Sequence, residues 1–429
     1  MIELPSVVTD VVRSVGLSTA MRAAGVVTGL LPIPQPMLLV GPGASRRLGE
    51  ALVGFGHRKI LIVTDSVVSA MGLPDALKAA LTAGGIAHVT FDQVTADAPI
   101  PVIEKGIAFC TKHACDAVVA FGGGSPMDAA KAIALAVANR KHPRKLVGYF
   151  KGRRAPLPLY AVPTTAGTGS EVTVAAVISD PATERKLVIA DTRLVPAMAA
   201  LDPSLMTGLP RQVTAATGMD ALTHAVEAFV GHWANAHTDR MALAAVGMIY
   251  GNLRTVCRNG RDLAAREQMA LAATYAGLAF TRANVGYVHA IAHQLGGKYH
   301  TPHGLANAIM LPHVLEFESP AITKRLAILA VRAGVGRPRE RPAALAKKFV
   351  ASVAALNRDV GIPTQLDALR EEDIPELARA ACWEADTNYP VPRYMSAATC
   401  EGLLRKVLPG AAPRARRAVR KTVRPRAAR

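Results

Sequence analysis

The chain has 429 residues, half of them apolar, so it can bury a large core and is long enough for two domains rather than one. Its five cysteines show no C-x-x-C spacing, which argues against a disulfide scaffold or a thiolate zinc site and fits a reducing cytoplasm. The formal charge of +18 invites a nucleic-acid-binding reading, but residues 411–429 alone carry eight Arg or Lys and no acid, and without them the charge is +10.

At the N-terminus, Glu3 and Asp10 precede any apolar run, which does not fit a secretory signal. Residues 6–31 read as one or two amphipathic helices, and residues 1–35 as a helical extension. Pro32, Pro34 and Pro36 break the uncharged stretch that follows. No uninterrupted apolar run approaches the roughly 20 residues of a membrane span.

From residue 36 to 208, apolar runs alternate with helical patterns. MLLVG (37–41), KILIVTD (59–65), IAHVTFD (86–92), DAVVAFGGG (116–124) and LPLYAVPTT (157–165) read as strands. Segments such as PDALKAALTAGG and VIEKGIAFCTKH between them read as helices. Such alternation predicts a parallel sheet covered by helices, an α/β domain. From 209 to 410 the strand pattern gives way to long amphipathic stretches, which predict an all-α domain. The basic tail, 411–429, is too low in complexity to build a core and is expected to be disordered. Its charge suits acidic surfaces, anionic lipid or RNA, but the favoured reading is a plain solvated end.

Two loops carry chemistry in the α/β half. DAVVAFGGGSPMDAAK is strand, glycine turn and helix. Gly122, Gly123 and Gly124 let backbone amides approach a ligand, and a helix N-terminus behind them suits a pyrophosphate. Ser125 is expected as the N-cap, Pro126 as the first helical residue, and Asp128 as the partner in a capping box. GPGASR (41–46) is a poor version of the usual dinucleotide fingerprint. The second loop, PTTAGTGSEVT (163–173), offers the hydroxyls of Thr164, Thr165, Thr168 and Ser170 at a strand's carboxyl end. Asp65 also ends a strand; it can accept hydrogen bonds from a ribose, or cap the helix that follows.

The helical half holds the metal candidates. Asp220 and His224, in TGMDALTHAVE, share a helix face at i, i+4. His289 lies in GYVHAIAHQLGG and His303 in YHTPHGLANAI. One carboxylate and three imidazoles can close around a divalent ion. Taken singly, each histidine is as easily an ordinary core or surface residue, and spacing alone does not separate His289 from His293.

Four segments, GGGSPMDAAK, PTTAGTGSEVT, TGMDALTHAVE and VHAIAHQLGGKYHTPHGLANAI, occur in an order and at separations that resemble the iron-containing (group III) alcohol dehydrogenases. The resemblance covers about residues 36–408. It implies an α/β NAD-binding domain and a helical metal domain that meet at a cleft. It further implies that Asp220, His224, His289 and His303 bind the metal and that His293 lines the cleft without binding it. Gly122, Gly123, Gly124 and Ser125 match the pyrophosphate loop. Asp128, Thr164, Thr165 and Thr168 match positions around the nicotinamide and its ribose, and Asp65 the acid that favours NAD over NADP. The ion expected is Fe(II), with Zn(II) as the alternative by ligand type. The activity implied is hydride transfer between an alcohol carbon and nicotinamide C4, with the alkoxide on the metal and His293 relaying the proton. A small-molecule alcohol or aldehyde, a homo-oligomer and a cytoplasmic location go with it. Phe280, Trp383 and Tyr389 are candidate walls of the substrate pocket. Three other readings compete: a metal- and NAD-dependent synthase of dehydroquinate-synthase-like architecture, a metallohydrolase, and a nucleic-acid-binding protein.

Overall fold

The structure, a computed structural model, describes Met21, Gly25, residues 31–183 and residues 185–410. Most of the expected N-terminal helices and all of the basic tail therefore lie outside the described residues. Trp233 Nε1 donates to the Met21 carbonyl at 2.7 Å, which ties that point of the extension to the helical half.

Six short apolar runs become strands of one parallel sheet: β1 (Met37–Val40), β2 (Lys59–Val63), β3 (Ala87–Phe91), β4 (Ala117–Gly122), β6 (Leu159–Pro163) and β9 (Met198–Leu201). Their order is β1-β9-β6-β4-β2-β3. β4, β6 and β9 are buried at every residue, as expected of strands covered on both faces. One face packs on α1 (Ala44–Leu52) and α3 (Asp75–Ala83) through Leu48 and Leu77. The other packs on α4 (Ile100–Lys112) and α5 (Gly124–Asn139) through Ile103 and Ile133. A short helix, α2 (Ser66–Ala70), follows β2.

β3 and β4 lie on opposite sides of β2, so the chain reverses direction across the sheet there. The carboxyl ends of β2 and β4 flank that switch point, where open α/β sheets bind ligands. Gly122 pairs with Pro163, which sets the glycine turn beside the threonine loop.

A small second sheet of three strands was not anticipated from the sequence, and neither was β9. β7 (Ala175–Asp180) and β8 (Arg185–Ala190) form an antiparallel hairpin, and β5 (Gly148–Tyr149) pairs with β8.

Among the described residues no strand follows Leu201. The remainder is helical: α6 (Arg211–Val230), α7 (Ala236–Arg258), α8 (Leu263–Ala283), α9 (Tyr287–Tyr299), α10 (His303–Arg332), α11 (Pro342–Val360), α12 (Ile374–Asn388) and α13 (Ala397–Arg405). Every residue of α6 from Gly218 to Val230 is buried, the mark of a helix at the centre of a bundle. No helix of the described residues is long and apolar enough to cross a membrane.

Candidate active site at the junction of the two halves

The phosphate-loop candidates are arranged by backbone constraints. Gly122 has φ +151°, and a Cβ there would meet Pro126 Cγ at 2.6 Å. A Cβ on Gly124 would meet Thr168 Cγ2 at 2.8 Å, so the turn and the threonine loop approach closely only without side chains. Three local expectations need correction, the first being Pro126, which is the third residue of α5 and not its first. The N-cap of α5 is Gly123, in an extended conformation and with no side-chain cap. Ser125 instead sits in the first turn, where its Oγ accepts from Asp97 N at 3.0 Å. Asp128 closes no capping box, because its carboxylate accepts from Ser170 Oγ at 2.8 Å and Val177 N at 3.0 Å. No side chain therefore caps the first amides of α5, the arrangement that suits an anion.

Asp65 ends the β2 segment and caps α2, its Oδ1 accepting from Val68 N at 2.9 Å. It is half-buried, at the switch point. Thr164 N donates to the Gly122 carbonyl at 2.9 Å, and Thr165 lies against Gly123.

The 163–173 loop is wedged between the halves. A Cβ on Gly167 would meet the Thr217 carbonyl of α6 at 2.9 Å. One on Gly169 would meet the Ala273 carbonyl of α8 at 2.8 Å. Buried charges fasten it further. Lys131 Nζ donates to the Thr173 carbonyl (2.9 Å), Thr173 Oγ1 (2.9 Å) and the Ala175 carbonyl (2.8 Å), and burial lowers its pKa to about 8. Glu171 accepts from Thr274 Oγ1 of α8 at 2.6 Å.

On the helical side, Asp220, His224, His289 and His303 converge, with one ligating atom of each within 4.8 Å of all the others. Asp220 Oδ1 lies 3.6 Å from His303 Nε2 and 3.9 Å from His289 Nε2, and Asp220 Oδ2 lies 4.0 Å from His224 Nδ1. These separations let the four donors share one divalent ion, whose carboxylate and imidazole ligands suit iron or zinc. Three elements bring the four together. α6 carries Asp220 and His224, α9 carries His289, and His303 starts α10. Gly304 makes the crossing of α6 and α10 close: a Cβ there would meet the Ala216 carbonyl at 2.5 Å.

Hydrogen bonding supports a cation at this point. His224 Nδ1 is buried with no partner. His289 gives its other nitrogen, Nδ1, to buried Glu227 Oε2 at 2.5 Å, which leaves Nε2 as the ligating atom. Burial, then the neighbouring His224 and His293, hold the His289 pKa well below the usual histidine value. Burial does the same to His303, against the pull of Asp220. Both are therefore neutral, the form that ligates. Asn307 Nδ2 donates to Asp220 Oδ1 at 2.7 Å and lies 3.1 and 3.2 Å from the Nε2 atoms of His289 and His303. Three polar atoms of the cluster thus gather around one amide nitrogen. The residues present fit a divalent metal.

His293, one turn after His289, stacks on His303 with centroids 5.5 Å apart. Its Nδ1 lies 2.6 Å from Glu384 Oε1 on α12. Phe280 lies flat on His224, centroids 4.2 Å apart, and walls the site. Tyr389 is tied to Glu384 at 2.6 Å. Trp383 is 65% exposed, too open for an enclosed wall. Four groups escaped the sequence reading: Glu227, Asn307, Glu384, and Lys186, which reaches from β8 to pair with Asp97 and lies beside Gly296 of α9. Glu227 had a readable signal, three residues after His224 on the same face of α6.

Comparison with known proteins agrees with this architecture. Residues 35–203 match the family described as iron-containing alcohol dehydrogenase, and residues 214–408 match the C-terminal part of the Fe-containing alcohol dehydrogenase family. The 1,3-propanediol dehydrogenase of Klebsiella pneumoniae is 41% identical over 345 residues, 80% of this chain and 89% of that protein. The NAD-dependent methanol dehydrogenase of Bacillus methanolicus is 37% identical over 348 residues, 81% of this chain and 91% of that protein. A crystal structure of 1,3-propanediol oxidoreductase superimposes with TM-score 0.85 at 37% identity, covering 88% of this chain and 100% of the other.

Proposed function

Because the chain belongs to the iron-containing alcohol dehydrogenase family, we propose that it interconverts a small alcohol and its aldehyde at the junction just described. The observation that carries the reading is the closure of Asp220, His224, His289 and His303 around one point beside the strand-end loops. Membership makes the chain an oxidoreductase that uses a metal and a nicotinamide cofactor, and it does not favour the synthase alternative.

When bound, the metal supplies Lewis acidity at the alcohol oxygen and the nicotinamide accepts or returns the hydride. The chain's residues do the rest. Asp220, His224, His289 and His303 hold the ion, with Glu227 fixing the tautomer of His289. Gly122, Gly123, Gly124 and Ser125 place the amides of α5 on the pyrophosphate. Thr164, Thr165 and Thr168 flank the nicotinamide and its ribose, and Asp128 holds that loop through Ser170. His293 moves a proton at Nε2.

We assign Fe(II) as the resident ion, from the family, and NAD as the cofactor, from the carboxylate of Asp65. Residues 36–208 form the NAD-binding domain and residues 209–410 the metal domain. The buried, free cysteines support a reducing cytoplasm, and the edge position of β1, whose first residue Met37 is 64% exposed, supports a homo-oligomer.

The test is an NADH absorbance assay on protein loaded with Fe(II) or Zn(II), using methanol, ethanol and 1,3-propanediol with NAD+ or NADP+. Metal-dependent NADH formation is expected. A fully metal-loaded protein that oxidises none of these alcohols and reduces none of their aldehydes would overturn the proposal.

A further inference from the structure

Glu384 is far from every metal ligand in sequence and 91 residues from His293. It enters the junction from α12, a helix with no other role in the site. Its carboxylate is surrounded by donors. His293 Nδ1 lies 2.6 Å from Oε1, Tyr389 OH donates to the same oxygen at 2.6 Å, and Gln294 Nε2 donates to Oε2 at 2.7 Å. The Glu384 side chain is 20% exposed and that of His293 12%. Burial alone would raise the Glu384 carboxyl, but His293 and these hydrogen bonds outweigh it and hold it below its ordinary value. Tyr389, buried beside that charge, keeps its proton.

The geometry decides how the imidazole of His293 is used. An ionised carboxylate only accepts, so the ring must present its N–H at Nδ1. In the neutral ring the other nitrogen, Nε2, then carries the lone pair. No described residue hydrogen-bonds it, while the ring lies parallel to His303 at the metal cluster. A histidine with one nitrogen clamped by a carboxylate and the other open to a cleft has its tautomer and its direction both set.

We infer that Glu384 is a positioning residue for the reaction: it locks His293 in the Nδ1–H tautomer, so that Nε2 is the atom that takes the proton released when the alcohol is oxidised. Oxidation releases one hydride and one proton from the alcohol. The hydride goes to the nicotinamide and the proton to Nε2, and reduction of the aldehyde returns both. The inference rests on the proposed role of His293 and adds what makes that role specific. Tyr389 and Gln294 take up the lone pairs that His293 leaves, so the carboxylate cannot turn away.

Glu384→Gln is nearly isosteric but removes the charge and the accept-only requirement, so both tautomers of His293 become available. With whichever of the three alcohols turns over fastest, its kcat should fall by about 10- to 100-fold, part of the 10²–10⁴ that acid–base help is worth. Metal content, NADH affinity and KM should stay close to the parent. Nitrogen-15 NMR of the Zn(II)-loaded protein should show His293 passing from one tautomer to a mixture. In a His293→Ala background the same substitution should cost nothing further. Parent-like kcat in Glu384→Gln, an equal loss in both backgrounds, or loss of the metal would each overturn the inference. Parent-like kcat in His293→Ala alone would overturn the role of His293 and this inference with it. Tyr389→Phe leaves the carboxylate in place and covers the case in which Glu384→Gln does not fold. It should give a smaller drop in kcat, again absent without His293, and a drop that persists there would also overturn it.

Discussion

The two walls of this cleft are made of opposite materials. On the α/β side the groups we assign to the cofactor are backbone amides and small hydroxyls, set by strand ends that meet at a reversal of the sheet. On the helical side they are polar side chains on three helices, most of them held by a second polar group, although His224 Nδ1 is not. A wall of amides has little to lose from the deletion of a side chain and much to lose from an added Cβ. A wall of side chains fails when one ligand goes, and also when the helices that carry the ligands are pushed apart.

The sharpest way to break the comparison is to delete a ligand. His289→Ala removes one of the four candidate donors and leaves Oε2 of buried Glu227 without its imidazole partner, while Oε1 keeps Val288 N. Metal occupancy and turnover should fall together, turnover by about 10³-fold or more, since Lewis acidity is worth several kcal/mol. NADH binding, which belongs to the other wall, should persist. Metal analysis and a nucleotide titration on one purified variant decide it. Full occupancy with normal turnover would exclude His289 as a ligand.

Adding a Cβ tests each wall from the opposite direction. Gly304→Val would drive a methyl group into the Ala216 carbonyl, 2.5 Å from the Cβ position, and separate α10 from α6. Metal affinity should drop by about 10- to 100-fold, the equivalent of 1–3 kcal/mol of overpacking, with no ligand altered. Gly124→Val meets Thr168 Cγ2 at 2.8 Å and should cost NADH affinity by a similar factor while sparing the metal. If both variants lost both ligands, the two walls would be one cooperative unit and the contrast would fail.

A smaller effect is expected from Glu227→Gln. The amide can still accept from His289 Nδ1, but without charge, so metal affinity should fall by about tenfold, the low end for an outer partner of a ligating histidine. Unchanged affinity in a competitive chelator titration would reduce Glu227 to a packing residue.

The same contrast explains what the sequence disclosed. β2, β4 and β6 were legible because a strand buried on both faces is a continuous apolar run. The hairpin β7–β8 was not, because AAVISD buries only alternate residues and RKLVIA opens on two exposed or half-exposed bases. The residue types that converge in the candidate metal cluster were legible, as Asp and His at helical spacing. Separating His289 from His293 was not, and came only from the family resemblance, because both lie on one face of α9. Geometry now marks a difference: one is held by Glu227 from α6 and the other by Glu384 from α12. Glu384 was invisible because burial of an acid by residues 91 positions away leaves no local trace. Ser125 misled for a local reason. Serine before proline is a good cap, but Gly123, extended two residues earlier, began the helix first.

The smallest effect concerns nucleotide choice, and it needs a variant that separates two roles of one carboxylate. Asp65 caps α2 through Val68 N at 2.9 Å and also lies at the switch point beside the phosphate loop. Asp65→Gly would remove the charge and alter the cap at once. Asn is as good an N-cap as Asp, so Asp65→Asn keeps the helix start and removes only the charge. If the carboxylate excludes a 2′-phosphate, the ratio of kcat/KM for NAD to that for NADP should fall by about tenfold, or 1.4 kcal/mol, in Asp65→Asn. The half-exposed position keeps the figure modest, and added salt should shrink it further by screening. The gain should appear in KM for NADP, with kcat for NAD nearly unchanged and the melting temperature preserved. Asp65→Ala, which loses cap and charge, should show the same ratio but cost about 1 kcal/mol of stability. An unmodified protein that prefers NADP, or an Asp65→Asn variant with an unchanged ratio, would leave Asp65 as a helix cap and place cofactor choice elsewhere in the cleft.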